Sequence, residues 1–207
     1  MIGGALGAIA TLVAIANPLG ALPVYLALRS PKDARAHRSD AWRSAMAVGI
    51  TLALCAVIGT RILDAFGVSV AGLRAAGGLI VTAMAFSMVQ GERPGAQFSS
   101  GDQQVAASRE QAEFGIYVPL SIPLIAGPGA ITTTITLAAG PEAGLGSTLI
   151  AVLAVSILVF ITLFFARAWH RILGDFGLRL ATRILGLLVM AVGVQMVVSG
   201  VKQLWVG

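Results

Sequence analysis

The chain has 207 residues, 57% of them hydrophobic and only 11% charged, with a mean hydropathy of +0.90 and a formal charge of +5. A soluble domain carries about 25% charged residues, so the composition excludes that class. The single Cys55 excludes a disulfide framework within the chain.

Charge is absent from Met1–Leu28, Ser44–Thr60, Ala75–Gly91, Phe114–Pro141, Ala143–Ala166 and Ile184–Val201. A helix needs roughly 20 residues to cross the hydrocarbon core, so these runs predict an all-α integral membrane protein with six transmembrane helices. Span one runs to Leu28, and Arg29–Arg43 follows as a basic loop in which Ser30-Pro31 breaks the helix. Span two covers about Trp42 to Arg61. An interfacial turn over Arg61–Gly67 leads into span three, which runs from near Gly72 to near Gly91. Glu92–Glu113, rich in Gly, Ser, Gln and charge, reads as a flexible cytoplasmic linker. The remaining three spans follow, with residues 167–183 as the loop before the last. Ala8-Ile9-Ala10 and Ala14-Ile15-Ala16 resemble signal cleavage sites, but no Lys or Arg precedes Arg29, and a signal has a basic start.

The positive charge does not describe a nucleic-acid surface, because it is divided between the two sides of a membrane. Loops 29–43, 91–113 and 167–183 share one side and hold eleven of the 14 Lys and Arg residues; the other side has Arg61, Arg74 and Lys202. The positive-inside rule makes the first side cytoplasmic and puts both termini outside.

The second half of the sequence repeats the first. Arg171–Gly177 matches Arg61–Gly67 at five of seven positions with an offset of 110, which Pro18 and Pro128 share. Arg74 with Arg183, Gly77 with Gly186, Leu79 with Leu188 and Gly91 with Gly200 match at 109, one deletion later. A rival register pairing Pro18-Leu19 with Pro119-Leu120 has an offset of 101 and agrees with nothing downstream. Residues 1–91 and 114–207 are therefore expected to be two three-span repeats joined by linker 92–113. An odd number of spans per repeat inverts the second copy, the arrangement of many secondary transporters.

Each repeat carries a cap-proline pair in the middle of its first span: Asn17-Pro18 and Gly127-Pro128. Asn is a strong N-cap and Pro suits the first helical position, so helices 1 and 4 are expected to be discontinuous. Pro18–Leu28 and Pro128–Ala139 would be half-helices of about 16 and 18 Å at 1.5 Å per residue. Broken helices in a membrane are tolerated only in protein or along a cavity, and two helix N-termini near the midplane would attract a carboxylate. Gly20, Gly127 and Gly129 allow close backbone approach, and Thr132, Thr133, Thr134 and Thr136 supply hydroxyls. Such a site suits a small zwitterionic solute. Bland readings compete. Single prolines in membrane helices mostly kink them, as expected for Pro23, Pro119 and Pro123, and threonines mostly bond their own helix. Gly3 and Gly7 have the spacing of close helix packing, and His37 and His170 lie in basic loops. No Asp, Glu, Lys, Arg or His falls within an expected span, so no carboxylate relay is evident and sodium and proton coupling both stay open.

Ala16–Pro23 and Ile122–Thr132 resemble the two signature stretches of the MarC family, and Arg74–Gly78 and Arg183–Leu188 resemble its span-three and span-six motifs. The resemblance covers essentially the whole chain except Glu92–Glu113. It implies a six-span inner-membrane protein. It also implies the solute class of the family's SnatA-type branch, small neutral amino acids such as glycine and alanine. The site expected on these grounds comprises Asn17, Pro18, Gly20, Gly127, Pro128, Gly129 and Thr132, with no catalytic residue, cofactor or metal. Alternatives are a non-transporting membrane partner or scaffold, and efflux of other solutes or drugs; an enzyme is not expected, since the spans hold no HExxH and no acid pair.

Overall fold

A helix satisfies its backbone from within, which is why apolar runs in an apolar solvent become helices. The computed structural model describes residues 2–22, 25–26, 34–91, 125–141 and 143–206, and all regular structure among these is helical. Among the described residues six helices have both ends defined: α1 (Ile2–Ala16), α2 (Ala34–Ala65), α3 (Val70–Gln90), α4 (Pro128–Ala139), α5 (Gly144–Phe164) and α6 (Ala166–Val206). Among the described residues, four stretches are long and apolar enough to cross a membrane: Arg38–Ala65, Val70–Gln90, Gly144–Phe164 and Phe176–Trp205. α1 and α4 are shorter. The linker, Pro23, Pro119, Pro123 and the far end of the half-helix expected to reach Leu28 lie outside the described residues.

Two boundaries differ from the expectation. α2 begins at Ala34, so Arg38, Asp40 and Arg43 lie on a helix and not in a loop. Residues 167–183 are helical as well, within α6, which is interrupted at Gly174 (φ 60, ψ −179). Arg, Leu and Ala are strong helix formers, and Ala166 and Leu178 are buried, so the polar stretch is anchored as helix. The two seven-residue motifs also bend at different points. Arg61–Gly67 continues α2 to Ala65 and turns at Gly67 (φ 66), whereas Arg171–Gly177 turns three residues earlier in its register, at Gly174. Position 64 of the first copy holds Asp; a left-handed φ is easily reached only where glycine stands. α3 begins and ends near the expected residues. Ser69 caps it by accepting from Gly72 N–H (3.0 Å), and Gly91 (φ 83) closes it.

α3 and α6 form the most extensive contact. It runs antiparallel: a Cβ on Gly200 would meet Ala75, one on Gly78 would meet Gly193 and Val197, and one on Gly186 would meet Met88. α2 and α5 are also antiparallel, with Arg38 over the Phe164 ring (5.3 Å), Trp42 edge-on to Phe160 (5.9 Å) and Gly49 against Ser156. α4 is the central element, touching α1, α2, α3 and α5, with Ile135 lying against Gly59 and Thr132 against Gly77. The main buried cluster joins α1, α2, α4 and α5 through Leu12, Val48, Leu52, Ala130, Val155 and Leu163, together with Leu22 and Tyr25. Outward-facing Ile50, Leu54, Leu79, Leu153, Ile157 and Leu188 are exposed and apolar, as a lipid-facing surface must be. Gly7 faces open space and makes no close packing contact among the described residues.

The glycine seam gives a direct test. A methyl group at Gly78 would lie 2.7 Å from both Gly193 O and Val197 N, backbone that cannot swing aside. Gly78→Ala should destabilise by about 1–3 kcal/mol, the usual cost of overpacking. Gly146→Ala, with nothing within 4 Å of the new carbon, should leave thermal unfolding in detergent unchanged or raise it.

Candidate functional site

α1 stops because Pro18 has no N–H to offer the carbonyl of Ala14, four residues back. Its last bond runs from Asn17 N–H to Val13 O (3.0 Å), and Asn17 then takes φ 38. Among the described residues it is the one non-glycine with a positive φ, and Asn tolerates that region better than most. Pro18–Ala21 form a turn, and helix resumes at Leu22, with Tyr25 N–H donating to Ala21 O (2.9 Å). The expected cap is thus half realised. Asn17 Oδ1 accepts from Gly20 N–H (3.3 Å) as an N-cap should, but the residue is first of all the left-handed terminus of α1. Its Nδ2 donates to Met88 Sδ at 3.7 Å, and a thioether is a weak acceptor. Gly20 is buried beneath this amide, and a Cβ there would collide with Asn17 Nδ2.

α4 starts where expected. Gly127 is its extended N-cap (φ −68, ψ 178) with no side chain to contribute, and Pro128 is its first residue. Ile131 N–H already bonds Gly127 O (3.0 Å), and Pro128 has no N–H, which leaves the amides of Gly129 and Ala130 without an acceptor in the helix. Both residues are buried. Here the positive end of the helix dipole is concentrated on two donors.

The two breaks meet. A Cβ on Gly129 would lie 3.4 Å from Ile15 Cγ2 and 2.6 Å from Val81 Cγ2, so the end of α1, the start of α4 and the middle of α3 converge. Ala16, Ile125, Ala126 and Ala130 are buried around them. α1 brings carbonyls that have lost their donors, and α4 brings amides that have lost their acceptors. One end favours an ammonium group and the other a carboxylate.

Of the hydroxyls on α4, Thr134 bonds Ala130 O (2.7 Å) and Thr136 bonds Thr133 O (3.0 Å), as the bland reading held, while Thr133 donates to Met196 Sδ (3.7 Å). Thr132 is 5% exposed and packs where Gly77 leaves room for it. The structure brings Gly129 to Ile15, two residues before Asn17, and Gly20 to Asn17 itself, whereas Thr132 lies against Gly77 and Asn17 against Met88, eleven residues and roughly 16 Å apart along α3. The neighbours these residues meet, Met88, Val81 and Gly77, all come from α3, and no sequence signal marks them. Asp40 corrects the expectation that the spans bury no ionisable group, since it lies on α2 at 3% exposure.

Residues 5–205 match a family model described as MarC family integral membrane protein. The chain is 34% identical to the UPF0056 membrane protein YhcE of Escherichia coli K12 over 205 residues, covering 95% of this chain and 91% of that one. It is 31% identical to the UPF0056 membrane protein YvbG of Bacillus subtilis 168 (93% and 91%) and 30% identical to the UPF0056 membrane protein PH0760 of Pyrococcus horikoshii (91% and 90%). No solved structure matches it.

Asn17 contributes through its amide and through its backbone, and two substitutions separate the roles. Asn17→Gly removes the amide but keeps the left-handed turn; Asn17→Ala removes both. The alanine variant should unfold at the lower temperature, with a further loss of about 1–2 kcal/mol from the left-handed strain. Equal unfolding temperatures would show that the turn is not held in that conformation.

Proposed function

The chain belongs to the MarC family of integral membrane proteins, and on that premise we propose that it is a secondary transporter of a small neutral amino acid of the glycine or alanine class. The observation that carries the reading is the meeting of two opposite helix ends at one buried place, the end of α1 with its carbonyls and the start of α4, where the amides of Gly129 and Ala130 have no acceptor within the helix. A zwitterion satisfies both ends at once; a simple anion or cation satisfies one. The α-carboxylate would lie at the start of α4 and the α-ammonium at the end of α1. Asn17 would exchange its weak bond to Met88 for one to the solute carboxylate, while Gly129 and Thr132 keep the walls close. The buried residues around these helix ends, Ala16, Ala126, Ala130 and Gly129, are small, which favours a solute with a small side chain.

Movement would follow from two inverted three-span repeats, residues 1–91 and 114–207, with linker 92–113 on the cytoplasmic side and both termini outside. Four features of the packing support this division. Corresponding helices α3 and α6 touch each other antiparallel, and so do α2 and α5. The contact of α1 with α5 has its counterpart in that of α2 with α4, and that of α3 with α4 in that of α1 with α6. An in-plane two-fold relation produces these pairings. Rocking of one repeat against the other would then open the shared site to each side in turn. Under this reading no catalytic residue, cofactor or structural metal is needed.

Purified protein in liposomes should accumulate labelled glycine or alanine above empty liposomes. Asn17→Gly should weaken the apparent affinity about tenfold, as loss of one hydrogen bond to a charged group would, with folding preserved. Uptake equal to that of empty liposomes across the neutral amino acids would overturn the solute class.

A further inference from the structure

α5 has 21 residues, about 31 Å at 1.5 Å per residue and so enough to cross the hydrocarbon core. Helix begins again at Ala166 and is interrupted at Gly174 (φ 60), and the next membrane-crossing stretch starts at Phe176. Segment 166–173 is therefore a short piece of helix at the membrane boundary, set off from the spans on either side. Its three sides differ. Ala166 and Leu173, seven apart, lie in or against the main buried cluster. Trp169 and Ile172, three apart, are exposed, Ile172 at 75%, and Phe176 just past the break is exposed as well. Arg167 and Arg171, four apart and both exposed, make the third side.

Neither arginine makes a hydrogen bond, ion pair or ring contact among the described residues, whereas Arg38 lies over the Phe164 ring and Arg74 donates to Gln203 Oε1 (3.1 Å). From Ala166 to Arg183 the sequence holds four arginines against one acid, Asp175. The matching motif of the first half differs in charge and in shape: Arg61 is balanced by Asp64, and its helix continues unbroken to Ala65.

An exposed apolar side next to an exposed cationic side is the pattern of a helix lying in the plane of a membrane interface. Water would leave the apolar side unburied, and acyl chains would leave the arginines unpaired; the headgroup layer satisfies both. We propose that segment 166–173 is an interfacial helix that binds anionic phospholipid. Trp169 and Ile172 lie at the acyl boundary, and Arg167 and Arg171 meet headgroup phosphates. A guanidinium presents its donors in a fixed fork that matches phosphate oxygens. Zwitterionic lipid also carries a phosphate, but its own cation cancels the charge, so charge complementarity selects the anionic species. The inference does not rest on the solute reading.

Trp169 can report its own lipid neighbours. With Trp42→Phe and Trp205→Phe it is the one tryptophan left in the chain. The full chain would be reconstituted in vesicles whose bromine-labelled, fluorescence-quenching lipid is phosphatidylglycerol or, at equal mole fraction, phosphatidylcholine. Quenching should show phosphatidylglycerol enriched at Trp169 by about fivefold, the factor for one basic residue near an anionic surface. Raising salt from about 0.05 to about 0.5 M should shrink the enrichment. Arg167→Gln with Arg171→Gln should abolish it, the corresponding pair of lysine substitutions should keep most of it, and Arg61→Gln should leave it unchanged. Equal quenching by the two lipids, or none by either, would overturn the proposal. So would an enrichment that survives the paired glutamine substitutions or falls as far in Arg61→Gln. Should the paired variant fail to fold, the two lipids compared on the unaltered arginines still decide.

Discussion

A helix that ends inside an apolar layer leaves amides and carbonyls that lipid cannot satisfy, and the architecture is arranged around that constraint. α1 ends at Ala16 and α4 begins at Pro128, and both ends are surrounded by other helices. α4 is short, polar on several sides and in contact with α1, α2, α3 and α5. The longer helices carry the exposed apolar faces, with Leu54, Leu153 and Leu188 turned outward. The division of labour follows from solvation: long helices meet lipid, and broken ones are kept behind them.

Small residues make that enclosure possible. Gly77 leaves the space that Thr132 occupies, Gly59 that of Ile135, and Gly78, Gly193 and Gly200 bring α3 and α6 into backbone contact. Helices in lipid gain little from the hydrophobic effect, so close approach and dispersion hold them together. Hydroxyls folded back onto their own carbonyls keep these surfaces apolar, as Thr134 and Ser156 do. Against that background, departures stand out: an amide held by a thioether at Asn17, and a hydroxyl with no bond at Ser44.

Much of this was legible in the residues. Charge-free runs mark the membrane helices, and the cap-proline pairs mark the ends of α1 and the start of α4, the latter at the expected residue. Polar helix was harder to see. The stretch holding Arg38, Asp40 and Arg43 reads as loop by hydropathy, yet Ala41, Ser44, Ala45 and Val48 recur at helical spacing and are buried. Residues 167–183 hide their helix in the same way behind four arginines. Met88 at Asn17 could not have been read, because a thioether in a membrane helix looks like any other apolar filler. The turn at Gly174 was invisible for another reason. Two matching motifs conceal a difference that depends on which of their positions holds a glycine.

Pro18 fixes something more durable than a conformation. A kink made by crowding or by a buried water can anneal when its neighbours move, but a proline nitrogen carries no hydrogen in any state of the molecule. The carbonyl of Ala14 therefore never regains its donor from within α1, and Pro128 likewise has no hydrogen to give at the start of α4. The polarity of this place is written into covalent structure, and no rearrangement of the bundle can erase it. Whatever state the protein adopts, these backbone groups must find their partners outside their own helix.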